Sequence, residues 1–314
     1  MGTEIIIYFI LGIGAIIYVN SNFSLSAFSN MIKVDDNLII IEHLTKYSTK
    51  AKNYRKPPEN FRSHGYKIKG KIVGEDVSMK YVFPLINTAE STFTVQLNSK
   101  NVSSIVSGYG TSLKCFGPVD KDSYELKSSS LEFLRREMNK DGFYFDTPHN
   151  FGIDYNHVIE ISKDLSTQIA YFIVQELQSK SKDNYLNRVK ATLNFVQFIP
   201  YGVPDFDHED DTYFGLAIPH ESIGLSYSDC DSKSVFFGGI LHHLIPPENI
   251  ILVSCNTEGG AHMIVGVSDL PFNGQKVYYA GKNFLLLETT TPIPMEHHPN
   301  DKYNDLKVIP IKQV

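Results

Sequence analysis

The chain contains no tryptophan, only three cysteines among its 314 residues, and no excess of positive charge. Cys115, Cys230 and Cys255 are too few and too widely spaced for a disulfide framework or a zinc knuckle, and we predict no metal and no cofactor. The 29 Lys and Arg residues against 35 Asp and Glu residues give a net charge of −6. This balance argues against nucleic acid as the main partner, because no surplus of cations is available to neutralise phosphates.

Apolar residues make up 42% of the chain and charged residues 20%. This composition excludes disordered and collagen-like classes and allows a substantial core in one large domain or two ordinary ones.

The amino terminus carries the longest apolar run, from Ile5 to Val19, and no charged residue lies between Glu4 and Lys33. We predict a membrane anchor over residues 1–23, and therefore a single-pass membrane protein that contacts the membrane through this helix, with its orientation unresolved. A cleaved signal peptide is the alternative. Met1 to Glu4 contain no Lys or Arg, and no clean A-x-A site follows, which weighs against that alternative.

Residues 24–64 have the composition of a tether, which ends near Pro57-Pro58. Residues 65–148 predict a β-rich region with one helix at 128–142, and its role stays open. Residues 149–314 predict a second domain. It contains two helices, of which Asp164 can cap the first and Asp183 or Asn184 the second, a polar loop at 201–229, a helix from Cys230 and then several strands. Helices followed by strands predict an α+β fold with a helix packed on an antiparallel sheet.

Cys230 lies where a polar loop passes into a helix, which Ser228 or Asp229 can cap. The helix N-terminus is expected to lower the pKa of the thiol and favour the nucleophilic thiolate. The unpaired amides of the same turn can bind an oxyanion. Gly238-Gly239 on the same helix predicts a close approach to a sheet, because two glycines otherwise weaken a helix.

His262 and Glu288 lie on predicted strands after this helix. A histidine in an apolar strand is costly unless it is paired, and a buried glutamate needs a cation or donors. Each residue alone has an ordinary structural explanation, but together with Cys230 they match a nucleophile, a base and an orienting acid. Asp269 is the other candidate acid and ranks lower, because it follows His262 by only seven residues in a proline-containing loop.

Five segments between residues 150 and 295 resemble the transglutaminase-like superfamily, which includes bacterial transglutaminase-like cysteine proteinases. They are FVQFIPYG (195–202), YFGLAIPHES (213–222), SDCDSKS (228–234), AHMIVGV (261–267) and LLETT (286–290). The resemblance implies a papain-like α+β core and a triad of Cys230, His262 and Glu288. Ser228 replaces the usual glycine and Glu288 the commoner aspartate. The absence of tryptophan weakens a cross-linking role.

The same resemblance places Gln197 near the site, where its amide is a candidate donor to the oxyanion. Tyr201, Tyr213 and Asp229 are candidate cleft residues, and Glu221 is a candidate for fixing the loop.

The sequence thus predicts a membrane-anchored, transglutaminase-like cysteine enzyme that acts on an amide bond of a peptide or protein through a Cys230 thioester. Water or an amine can complete the reaction, and we favour hydrolysis because it requires less machinery. The alternative is a catalytically inactive binding or scaffold module of the same fold.

Other features predict no site. The segment DFDHEDD (205–211) lacks the glycine and the terminal glutamate of a calcium loop. However, residues 201–231 contain eight acids and no Lys or Arg, which would favour cationic substrates if this loop borders the cleft. Ordinary structural roles are predicted for Cys255 (core), Cys115 (turn) and the surface pairs His242-His243 and His297-His298.

Overall fold

The computed structural model describes residues 34–48, 67–86, 89–109, 142–147, 150–202, 216–296 and 303–312. They form helices and antiparallel sheets, so the predicted α+β class is confirmed. The helices are α1 (Val34–Thr45), α2 (Ser99–Gly108), α3 (Tyr155–Ile161), α4 (Lys163–Ser179), α5 (Tyr185–Phe198), α6 (Pro219–Leu225) and α7 (Cys230–Leu241). The strands are β1 (Lys67–Val73), β2 (Asp76–Ile86), β3 (Ala89–Asn98), β4 (Phe143–Thr147), β5 (Asn150–Ile153), β6 (Ile250–Thr257), β7 (Gly260–Ser268), β8 (Lys276–Tyr279), β9 (Lys282–Leu287) and β10 (Asn304–Pro310).

The first sheet has the antiparallel order β1-β2-β3. Alternate residues of β2 are buried, as the period-two pattern predicts. Phe83 of β2 packs edge-on against Phe195 of α5, with ring centroids 5.3 Å apart. The side-chain amide of Asn194 donates to the Leu85 carbonyl at 3.1 Å. The β-rich region therefore shares a hydrophobic core with the helices that precede the candidate site.

The second sheet has the antiparallel order β10-β6-β7-β9-β8 and separates two apolar clusters. Met263, Val265 and Val267 of β7 belong to the large cluster shared with the helices. Ile264 belongs to the smaller cluster on the other face. Because side chains alternate along a strand, His262 shares its face with Ile264, as its position in the sequence predicts.

Helix α7 packs directly on β7, where the Ser234 hydroxyl donates to the Met263 carbonyl at 3.0 Å. A Cβ added at Gly238 would lie 2.9 Å from the Ile311 side chain and 3.4 Å from that of Leu252 in β6. The close approach predicted for the glycine pair is therefore present.

Residues 24–64 are not all tether, because Val34–Thr45 form helix α1. Ile41 and Leu44 are fully buried and pack against Gly224 of α6, where an added Cβ would lie 2.8 Å from Ile41 Cδ1. The Ser103 hydroxyl of α2 donates to the Leu44 carbonyl at 2.8 Å. These tertiary contacts stabilise a short segment whose run of consecutive isoleucines gives no clear helical period.

One finding contradicts the prediction of a single-pass membrane protein. Among the residues that the structure describes, no helix is both long and apolar enough to cross a membrane. The proposed anchor at residues 1–23 lies outside the described residues, as does nearly all of the helix predicted at 128–142.

Candidate active site

Cys230 is the first residue of α7. The Asp229 carboxylate accepts a hydrogen bond from the Ser232 backbone N–H at 3.1 Å, so Asp229 is the helix cap. The Cys230 side chain is partly exposed, whereas Asp229 is buried. The predicted loop-to-helix junction is therefore present, and it places the thiol at a helix N-terminus.

The loop that leads into Cys230 is fixed by a short parallel contact with the segment after α5. The backbone N–H of Ser228 donates to the Pro200 carbonyl at 3.0 Å, and the N–H of Gly202 donates to the Ser228 carbonyl at 3.1 Å. Tyr201, a candidate cleft residue, lies in this contact and pairs with Ser228. The Tyr201 backbone is thus paired with a residue that precedes Cys230 by two positions.

His262 and Glu288 form a hydrogen-bonded pair. His262 lies near the start of β7, and Glu288 directly follows the neighbouring strand β9. His262 Nε2 and Glu288 Oε2 are 2.9 Å apart, and the two side chains are 15% and 10% exposed. An ionised carboxylate only accepts, so Nε2 donates and Nδ1 is left for another partner. Within the described part of the chain Nδ1 makes no hydrogen bond.

Glu288 is held by three further donors. Its Oε1 accepts from the backbone N–H and the hydroxyl of Thr290, at 2.7 and 2.6 Å, and its Oε2 accepts from the Tyr303 hydroxyl at 3.1 Å. The Tyr303 ring also stacks on the His262 ring. Burial acts to raise the pKa of Glu288, but the hydrogen bonds and charge of His262 and Thr290 outweigh burial and hold this pKa at about 2.

The low pKa of Glu288 predicts a loss of stability in acid. Its pKa of about 2 in the fold is below its ordinary value of 4.5. Its stabilising effect is therefore complete above pH 4.5 and is lost as the pH falls through 4.5 toward 2. We expect the free energy of unfolding of the wild type, relative to Glu288→Gln, to fall by roughly 3 kcal/mol over this window. Urea titrations at several pH values test this. A constant difference would contradict it.

Gln197 is not placed as an oxyanion donor. Its Nε2 donates to the Glu288 carbonyl at 2.8 Å and to the Ile293 carbonyl at 3.1 Å, and the side chain is buried. Both amide N–H groups are thus used within the fold. Gln197 instead braces the segment that carries the acid, which differs from its predicted role.

Lys233, three residues after Cys230, is fully buried and was not singled out by the sequence analysis. Its Nζ donates to the carbonyls of Gln197, Ile199 and Thr290, at 3.2, 2.6 and 3.4 Å. Burial lowers the pKa of Lys233 to about 7, although the charges of Glu288 and Asp229 act in the opposite direction. Lys233 therefore joins α7, the end of α5 and the segment after Glu288. No sequence signal distinguishes it from a solvated helix lysine.

The thiol environment differs from the prediction. Cys230 Sγ donates to Asp231 Oδ1 at 3.2 Å, and no hydrogen bond joins it to His262 within the described ranges. Burial, followed by the charges of Asp231 and Asp229, raises the pKa of the Cys230 thiol, although the backbone N–H of Met263 favours the thiolate. The expected lowering of this pKa by the helix N-terminus is outweighed, because the thiol is largely buried and two acidic residues flank it.

Tyr155, the first residue of α3, lies close enough to Cys230 and its flanking acids to interact with their charges, and the sequence did not predict this. Burial raises its pKa, and the charges of Asp231, Cys230 and Asp229 contribute in the same direction. A tyrosine at a helix start forms no recognisable motif, so only the packing of α3 on α7 brings it to the site.

The other candidate residues fall into two groups. His262 lies near the start of β7, whereas Asp269 follows the other end of that strand. Cys255 is buried. Glu221 is also buried, and its carboxylate accepts from the Ile218 N–H at 3.1 Å and fixes the start of α6. His242 and His243 are half-buried. Several candidates lie outside the described residues: Tyr213, the acidic segment 205–211, Cys115, His297 and His298. Over the ranges that are described, no group of His, Cys, Asp or Glu could hold a metal ion.

Comparison of this chain with family models, with curated proteins and with solved structures finds no match in any of the three.

Proposed function

We propose that this chain is a cysteine enzyme of the transglutaminase-like type, with a papain-like core, that cleaves an amide bond in a peptide or protein. The observation that carries the proposal is the largely buried hydrogen bond between His262 and Glu288, which joins β7, the strand on which the Cys230 helix packs, to the end of its neighbour β9. A histidine held by a carboxylate is preorganised to accept a proton through its other nitrogen. Its position next to Met263, whose N–H interacts with the sulfur, supports a shared site.

In the proposed reaction the thiol proton of Cys230 passes to His262 Nδ1 while sulfur bonds to the amide carbonyl carbon. The C–N bond then breaks, and the leaving amine takes the proton from His262. Water attacks the resulting thioester, giving one proton to His262, and the C–S bond breaks. That proton returns to the sulfur. The balance is amide plus water giving acid plus amine, with Glu288 holding the imidazole in orientation throughout.

Backbone N–H groups of the first turn of α7 are suited to bind the oxyanion. The first amides of a helix lack partners within the helix, and Asp229 occupies only that of Ser232. Gln197 is not part of this oxyanion site, because its amide donates to the carbonyls of Glu288 and Ile293.

A catalytically inactive module of the same fold is the second candidate. It is favoured by the thiol's bond to Asp231 and by the raised pKa of Cys230. The distinction depends on whether an amide carbonyl reacts with the sulfur at all.

Activity profiling with an electrophilic amide-mimic probe tests the proposal. We expect stoichiometric labelling of the wild type at Cys230. In Cys230→Ala, we expect labelling of any other residue to be slower by about 100-fold or more. Cys255→Ala is the matched control, because this thiol is buried. Its labelling is expected to equal that of the wild type. Labelling that survives Cys230→Ala, or none in the wild type, would favour the inactive module.

A further inference from the structure

The residue after the nucleophile, Asp231, accepts the only hydrogen bond that the thiol donates within the described ranges. The bond joins Cys230 Sγ to Asp231 Oδ1 at 3.2 Å. A thiol has a single proton, and while that proton is directed to a carboxylate it cannot be directed to an imidazole. In this conformation the thiol proton is therefore directed to the neighbouring carboxyl and not to the predicted base.

The second feature is the imidazole of His262, which is held through one of its two nitrogens. Its Nε2 is occupied by Glu288, and its Nδ1 makes no hydrogen bond in the described part of the chain. The charge of His262 lowers the pKa of the Asp231 carboxyl, although burial raises it overall. Asp231 thus interacts with both the thiol and the ring.

The other groups that interact with the thiol or with Asp231 come from α3, β7 and the residue before α7. Asp229 precedes the helix and Tyr155 is the first residue of α3, while β7 contributes the Met263 N–H and His262. Lys233 Nζ is committed to three carbonyls. Over the described ranges no Lys or Arg forms an ion pair with Asp231, so its carboxylate is balanced by no salt bridge.

We propose that Asp231 is a positioning residue that holds Cys230 in a resting state, and that the reaction begins when the thiol leaves Asp231 for His262 Nδ1. The inference rests on the proposed function, since only an enzyme needs a state in which the thiol has moved from Asp231 to His262. The step breaks the S–H···Oδ1 hydrogen bond and transfers the thiol proton from sulfur to Nδ1. No other reactant is required.

The test is the pH dependence of Cys230 alkylation by iodoacetamide in the full chain, with peptide mass spectrometry separating Cys230 from Cys115 and Cys255. We expect Asp231→Asn to lower the midpoint of the rate profile by at least about one pH unit, and to speed alkylation at pH 7 about tenfold or more. Asp231→Ser removes the same charge and replaces Asp231→Asn in this test if that variant does not fold.

Asp229→Asn is the matched control. Asparagine retains the helix cap, and the substitution removes a carboxyl that flanks the thiol without a hydrogen bond to it. We expect a shift less than half that of Asp231→Asn. Equal shifts in the two variants would show a general charge effect and overturn the inference.

His262→Ala completes the test. In the wild-type background it should move the alkylation midpoint little, because the resting thiol is not bonded to the ring. With Asp231→Asn it should raise the midpoint by about one pH unit, because the released thiolate then pairs with His262. An unchanged midpoint in Asp231→Asn would overturn the inference. If the midpoint shifts as expected while amide-mimic probes never label Cys230, the control by Asp231 stands and the proposed function fails.

Discussion

Replacing His262 with alanine is expected to lower the rate at which an amide-mimic probe acylates Cys230 by about a thousandfold. In the proposed reaction the ring accepts the thiol proton through Nδ1, which makes no hydrogen bond among the residues described, and later returns that proton to the leaving amine. Its orientation is fixed by Glu288 and by the stacked Tyr303. Catalytic hydrogen bonds often tighten only when substrate binds, so the present bond to Asp231 is compatible with this role.

The measurement is the second-order rate of Cys230 acylation at neutral pH, with folding checked by circular dichroism. His243→Ala is the matched control, since His243 is half-buried and its ring nitrogen lies 3.5 Å from the Thr167 hydroxyl, in another part of the fold. That variant should react like the wild type. A loss smaller than about tenfold in His262→Ala would remove the ring from the mechanism.

Lys233→Met is expected to change how stability depends on pH. Lys233 has a pKa of about 7 in the fold, below its ordinary 10.5. Between these values the unfolded chain binds a proton that the folded chain does not, so unfolding becomes harder as the pH rises. The wild type should gain about 3 kcal/mol of unfolding free energy relative to Lys233→Met between about pH 6.5 and 9.5.

Two opposing effects set the size of the difference at each pH. The methionine variant leaves the carbonyls of Gln197, Ile199 and Thr290 without the lysine donor, which costs a few kcal/mol. It also removes the cost of burying an ammonium group. This cost is largest at low pH, where Lys233 is charged. The variant is therefore expected to be least harmful below pH 7.

Urea unfolding at four pH values measures this dependence, and comparison with the wild type cancels titrations that the two proteins share. Lys233→Gln is the control, because it keeps N–H donors without a group that titrates in this range. Its difference from Lys233→Met should be independent of pH. If the difference in unfolding free energy between the wild type and Lys233→Met stays constant between about pH 6.5 and 9.5, then Lys233 is not buried as described.

Local sequence signals predicted the elements of the site but not all of their partners. Asp229 and Cys230 begin α7 because a capping carboxylate satisfies the first-turn amides, a relation within three residues. The alternation along β7 similarly separates His262 and Ile264 from Met263. The family resemblance implies an oxyanion role for Gln197, whereas the two carbonyls to which its amide donates lie 91 and 96 residues away in the sequence.

The sequence by itself determined the α+β class, the strand on which His262 lies and the helix that begins at Cys230, because capping and side-chain periodicity act over a few neighbouring residues. Only the tertiary structure showed that the predicted pair of Glu288 and His262 is hydrogen-bonded, that Lys233 and Gln197 brace the acid segment, and that burial, followed by the flanking carboxylates, raises the pKa of the thiol. These outcomes depend on burial and on contacts between distant segments. No local pattern encodes them, since the energy of a charge or donor is set by what surrounds it in space.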